Sequence, residues 1–269
     1  MNIVKVDLKR AILSRNMIAS IILGLVSILA GMLMEPLKSA LRLYLSNAPD
    51  LTYAAKLHLI GNSLNKATLW NFGNYFYTVL MPLICCIPYT VSYLSDKKSG
   101  FNKTLIIRSN YKNYIYSRII TTFISGFLSI FIISMIYIAI INLVDSGEEF
   151  RSIFYNNTFL SSLNKNNFNL FAFVYSIITS FMGGTYAIMG LAISSLVDNT
   201  LVALVSPFTI YYLGAYIGNR IKIINPLIVN HFYTYEGINL YHIFIQLAIL
   251  FVLSITVFLY KTYWGNSYE

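Results

Sequence analysis

Apolar runs free of Asp, Glu, Lys and Arg alternate with polar stretches along the whole chain. They occupy residues 17–34, 70–94, 119–144, 171–197, 200–218 and 241–260. Each is close to, or longer than, the roughly 20 residues that a bilayer crossing needs. The pattern predicts an all-α integral membrane protein, one transmembrane domain over residues 1–269 with six spanning helices. Ahead of the first run, residues 1–16 place Val4, Leu8, Ala11 and Ile12 on one helical face, with Ile3 beside them. Lys5, Lys9, Arg10 and Arg15 take the rest, which predicts an amphipathic helix in the headgroup plane.

The connections differ in kind. Glu35-Pro36 ends the first run, and residues 37–69 hold helical fragments around 38–45 and 51–60 whose apolar positions predict folding on the outer membrane surface. Trp70, Tyr75 and Tyr77 read as an interfacial belt at the start of the second run. Pro82 and Pro88 kink that run, which neighbouring helices can tolerate. Asp198-Asn199 is a tight polar break, and Pro207 sits inside the fifth run. Residues 145–170 are polar and Asn-rich. Residues 219–240 are mixed, with part expected to dip back into the membrane.

One polar stretch stands apart. Residues 95–118, SDKKSGFNKTLIIRSNYKNYIYSR, hold six Lys and Arg against a single carboxylate, Asp96. Their middle, 104–108, turns apolar for about one helical turn, so this is more than a linker. The stretch either marks the cytoplasmic side or meets a partner there.

Composition supports the membrane reading. The chain is 57% hydrophobic and 11% charged, where a soluble domain carries roughly a quarter charged residues. The net charge of +9 therefore belongs to loop placement and not to nucleic acid. With six spans, the side holding both termini carries eleven Lys and Arg and the other side eight, spread over far more loop. Both termini are expected in the cytoplasm of a multi-pass plasma-membrane protein. The first run is too long, and its charged lead too extended, for a cleavable signal peptide.

Catalytic chemistry is hard to find. Cys85 and Cys86, the only cysteines, are adjacent and lack metal or redox spacing. The three histidines show no metal spacing, and no serine lies in a GxSxG elbow. Gly100-Phe-Asn-Lys103-Thr104 departs from a phosphate loop in spacing. Glu148-Glu149 misses the EExxxR spacing of glutamate intramembrane proteases. No Asp, Glu, Lys, Arg or His sits mid-span, where ion-coupled carriers keep one. Energy for any transport would enter from outside this chain.

The layout, together with Asp96-Lys97-Lys98-Ser99-Gly100, Leu105-Ile106, Arg108-Ser109 and Ser117-Arg118, resembles the ABC-2 type permease subunits of ABC transporters. Phe101 stands where that family often has Thr, and the acidic cluster is reduced to Asp96. The resemblance implies a cytoplasmic coupling helix between spans two and three that docks on a separate nucleotide-binding subunit, and re-entrant short helices between spans five and six. It implies an ABC ATPase partner that holds ATP and Mg, no cofactor in this chain, and a second permease subunit, identical or related. The docking residues would be Asp96, Lys98, Ser99, Gly100, Leu105, Ile106, Ile107 and Arg108. Leu105 to Ile107 would enter an apolar groove, with Lys98, Lys103 and Arg108 on its acidic rim and Asp96 capping the loop helix.

Spans two and five would line the route between halves, which brings in Tyr77, Pro82, Pro207 and Tyr211. Gly214 and Gly218 form a GxxxG that packs either within the chain or between subunits. Charge-free spans rich in aromatics suit a hydrophobic or amphipathic cargo such as an antimicrobial peptide, in export or self-protection. The rival readings are a non-transporting sensor or assembly subunit that docks a cytoplasmic partner, and an intramembrane enzyme, for which no acid, base or nucleophile constellation exists.

Overall fold

Every element in the computed structural model is a helix; among the described residues (3–46, 52–145, 167–220 and 240–264) there is no strand. The order is α1 (Ile3–Ile12), α2 (Arg15–Met34), α3 (Pro36–Leu45), α4 (Tyr53–Ser63), α5 (Lys66–Ile84), α6 (Ser92–Lys98), α7 (Phe101–Ser109), α8 (Tyr111–Val144), α9 (Phe168–Leu196), α10 (Thr200–Arg220) and α11 (Leu240–Trp264). Among the described residues four helices are long and apolar enough to cross a membrane: α2, α8, α9 and the 244–263 stretch of α11. The apolar part of α10, Thr200–Gly214, is shorter. This is a membrane-embedded helical protein.

Local chemistry sets the helix ends. Ser14 accepts from the Met17 N–H to start α2, Asn65 from Thr68 to start α5, and Asn167 from Leu170 to start α9. Pro36 opens α3, where its missing N–H costs nothing. Asn199 accepts from the Leu201 and Val202 N–H groups in the break ahead of α10.

The second apolar run is not one helix. It starts early, at Lys66, and ends at Ile84; a stretch of turns over 85–91 precedes α6. The Cys86 N–H bonds to Leu83 O and so leaves Pro82 O, which takes both the Cys85 and Cys86 thiols at 3.3 and 3.2 Å. Pro88 then supplies no donor to Ile84 O, which the Ile87 N–H takes instead. Two prolines six residues apart thus break the run rather than merely bending it.

α9 is the central helix, with every residue from Met182 to Ala192 buried. It lies against α8, α10 and α11, while α2 packs on α5 and α8. Close approach depends on small residues. A Cβ on Gly126 would lie 2.5 Å from Ala187 Cβ and 3.0 Å from Gly183 O, and one on Gly31 would strike Phe72 O. Buried hydroxyls on Ser20, Ser27, Thr122, Ser125 and Ser129 donate to carbonyls three or four residues back, so none is left without an acceptor in an apolar setting.

At one end Trp70 stacks on Tyr137, with centroids 5.3 Å apart, and meets Tyr175 and Phe171 edge-on. Trp70 and Tyr77 are buried, and Tyr77 donates to Ile130 O. Of the expected aromatic belt only Tyr75 is exposed. The other two are core, because α5 turns them towards α8. Residues 221–239, where re-entrant helices are expected, lie outside the described residues, as do 146–166 of the Asn-rich connection.

Candidate functional site

The basic stretch folds as two short helices and the lead-in to a long one. α6 carries residues 92–98, and Gly100 with φ +71° makes the left-handed step into α7. Asn110, also at φ 71°, turns the chain into α8, which begins eight residues before the apolar run does. Arg118 therefore lies inside α8, not in a loop.

Its side chain is wholly buried and is the centre of a charge node. The Arg118 guanidinium donates to Asp96 Oδ2 at 2.5 Å, to the Tyr89 hydroxyl at 2.7 Å and to Ser92 Oγ at 3.4 Å. It lies over the Tyr114 and Tyr89 rings, 5.0 and 5.5 Å from their centroids. Arg118 Nε has no hydrogen-bond partner among the described residues; aromatic faces border the cation instead. From α1, Arg10 grips the same Asp96 with both nitrogens, at 2.8 and 2.7 Å. Arg10 also sits over the Phe101 ring of α7. Its hydrogen bond to Asp96 raises the Arg10 pKa, more than partial burial lowers it, so this guanidinium stays charged.

A second carboxylate completes the node. Asp7 of α1 is buried and accepts from Ser117 Oγ at 2.7 Å. Tyr114 donates to Asn102 Oδ1 of α7 at 2.6 Å, and the Tyr111 hydroxyl bonds Thr262 O of α11. The N-terminal helix, both short helices and the root of α8 are held as one unit. Breaking a buried pair of this kind by removing one partner typically costs 3–5 kcal/mol, so the parts cannot move separately at low cost.

The expected docking residues divide into two groups. Asp96 is 2% exposed and is spent on Arg118 and Arg10. It does not cap α7, whose N-cap is Gly100 without a side-chain bond. Leu105 and Ile106 are half-buried on the chain's own cluster around Tyr93, Tyr114, Ile115 and Phe258, so they do not project together with Ile107. Ile107 is 85% exposed. Lys97, Lys98, Ser99 and Gly100 are also exposed, and Lys97 pairs with Asp198 at 3.3 Å. The outward surface of the loop is thus Ile107 with Lys98 to Gly100. For Arg108 only the backbone position in α7 is described.

The expected pathway residues lie on two helices that touch, α5 and α10, and Tyr77 and Tyr211 belong to one buried cluster. Tyr77 and Pro82 are buried in α5. Tyr211 is buried edge-on against Tyr186 of α9, and Pro207 approaches Gly190. Gly214 faces open space: a Cβ there would meet nothing within 4 Å. The surroundings of Gly218 lie outside the described residues. Hence the Gly214 side of the GxxxG is not packing within the described chain.

α1 also differs from expectation. Its face towards α8 is Asp7 and Ala11, with Val4 and Leu8 half-buried, while Val6, Ile12 and Leu13 are exposed. Asp7 escaped the sequence reading although a signal existed: it is the only carboxylate before Glu35. A lone acid in a basic, apolar segment needs a specific partner to be kept. No family model, curated protein or solved structure matches the chain.

Proposed function

We propose that this chain is the permease subunit of an ATP-driven exporter of the ABC-2 type, with six spans and both termini in the cytoplasm of a plasma-membrane protein. In this reading α5, continued by the 85–91 turns and α6, is the second span, and α10 is the fifth. α7 is the coupling helix that meets a separate ATPase subunit, which holds ATP and Mg. A second permease, identical or related, completes the unit, and the outward Gly214 side of α10 suits that contact. The cargo is hydrophobic or amphipathic, an antimicrobial peptide being one fit.

The observation that carries the reading is the Asp96–Arg118–Arg10 node, with Asp7–Ser117 beside it. It fixes α6 and α1 to the root of a 34-residue membrane helix, and Asn102 on Tyr114 and Phe101 under Arg10 tie α7 to the same unit, so force applied at α7 is passed to α8. A loop that served only to orient the chain would need the charges and not the buried pairing. The exposed Ile107 is the point of contact.

The test is co-purification of the full chain with its candidate ATPase, with ATP turnover measured in the complex. Ile107→Asp with Lys98→Glu should abolish association and the turnover that depends on it, leaving the folded chain intact. Unchanged association and turnover in that variant would remove the coupling reading. Retained association without any coupling of turnover to this chain would favour a sensor or assembly subunit.

A further inference from the structure

The helices α3 and α4 stand at the opposite end of the molecule from the charge node. α2 separates them from it by 20 residues, about 30 Å of helix, which is one hydrocarbon thickness. They therefore emerge where the bilayer ends. They pack on each other, and α3 also touches α2 and α5.

α3 has three distinct arcs. Pro36 and Ala40 are buried against the protein. Leu41, Tyr44 and Leu45 form an outward apolar arc, at 59%, 69% and 67% exposure. Lys38 and Arg42, both exposed, lie immediately beyond it around the helix. α4 adds exposed Tyr53 and Leu57. Lys56 of α4 reaches across to Ser46 O at 3.0 Å and lies over the Tyr44 ring, which fixes a third cation beside the apolar arc. Glu35, the described carboxylate of this region, accepts weakly from Ser39.

An apolar arc bordered by cations, on a helix that leaves the end of a spanning helix, is built for a boundary between acyl chains and phosphates. A large outward apolar surface in water would be a liability. We propose that α3 and α4 form a lipid-binding platform. Leu41, Tyr44 and Leu45 enter the headgroup–acyl boundary, and Lys38, Arg42 and Lys56 hold the phosphates of anionic lipid. The exposed end of α2, Leu33 and Met34, is apolar and continuous in sequence with this surface. The platform depends on the chain spanning a membrane, not on its being a transporter, so it stands or falls separately from the exporter reading.

The experiment uses the full chain in vesicles containing phosphatidylglycerol. A Leu41→Cys variant carries an environment-sensitive fluorophore, and Ile22→Cys, at an exposed position within α2, serves as the deep reference. Cys85 and Cys86 are buried, and labelling of the unsubstituted chain sets their background. The Leu41 probe should emit blue-shifted. It should be quenched more by a nitroxide near the headgroup than by one deep in the acyl chains, in the opposite order to the Ile22 probe.

Replacing phosphatidylglycerol by phosphatidylcholine, or making Lys38→Gln with Arg42→Gln, should weaken that quenching. Each lost charge should shift the docked population by about fivefold. Water-like emission without quenching would overturn the proposal. So would a blue shift that neither lipid nitroxide quenches, since a protein surface would then cover the arc. Quenching that ignores both charge changes would overturn the anionic-lipid part.

Discussion

Asp96 holds the charge node together. It answers two guanidiniums with two oxygens, and only Arg118 is wholly buried. Asp96→Ala should therefore cost about 3–5 kcal/mol by stranding Arg118 in an apolar interior. Arg10→Ala should cost about 1 kcal/mol or less, because its side chain is 45% exposed and water can replace the pair. Thermal unfolding of the purified variants in one detergent measures both, and the order of the two is the prediction. Arg118→Lys should behave like the loss of Asp96, since an ammonium cannot reach Asp96, Tyr89 and Ser92 from one planar fork. The sequence displayed these charges but not their partners. Asp96 and Arg118 are 22 residues apart and Arg10 is 86 from Asp96, and no periodicity links residues so separated. Asp7 stayed hidden because Val4, Leu8, Ala11 and Ile12 already make a complete apolar face for α1.

Among the helices, the long apolar ones were legible because length and hydropathy suffice to define them. So were α3 and α4, from the periodicity of 38–45 and 51–60, and the end of α2 at Glu35-Pro36. What escaped was decided by which face meets which neighbour. Trp70 has the composition of a belt residue, yet the rotation of α5 stacks it on Tyr137 inside the core. The break after Ile84 rests on competition between carbonyls for donors near two prolines, a tertiary matter as much as a local one. Small residues were visible in the sequence, but their contacts were not. Gly31→Ala should destabilise by about 1–3 kcal/mol, because its Cβ would meet the backbone carbonyl of Phe72 and not a side chain that can move aside. Gly214→Ala, inside α10 and facing open space, should not destabilise the isolated chain and should raise its stability by about 0.4–1 kcal/mol. The same thermal assay separates them, and equal losses would mean the α2–α5 approach is looser than described.

For the whole molecule, the two ends have different chemistry. One holds the node, the exposed lysines of α6 and Ile107; the other holds the Trp70 cluster, the Lys66–Asp145 pair at 3.3 Å and the α3–α4 platform. Single cysteines at Lys98 and at His58 should accordingly react with a membrane-impermeant thiol reagent from opposite sides of intact cells, His58 from outside. Reaction of both from one side would break the topology. The basic stretch was noticeable in the sequence as a density of charge. Its division into an inward face, Leu105 and Ile106, and an outward one, Ile107, required the fold, because the three are consecutive.

In the proposed function, force from a second protein enters at Ile107. Photo-crosslinking from Ile107→Cys and from Leu105→Cys, each carrying benzophenone in the assembled complex, tests it most directly. Ile107 should crosslink to the ATPase subunit, and Leu105 within its own chain. A complex in which Ile107 gives no adduct with the ATPase would contradict the account.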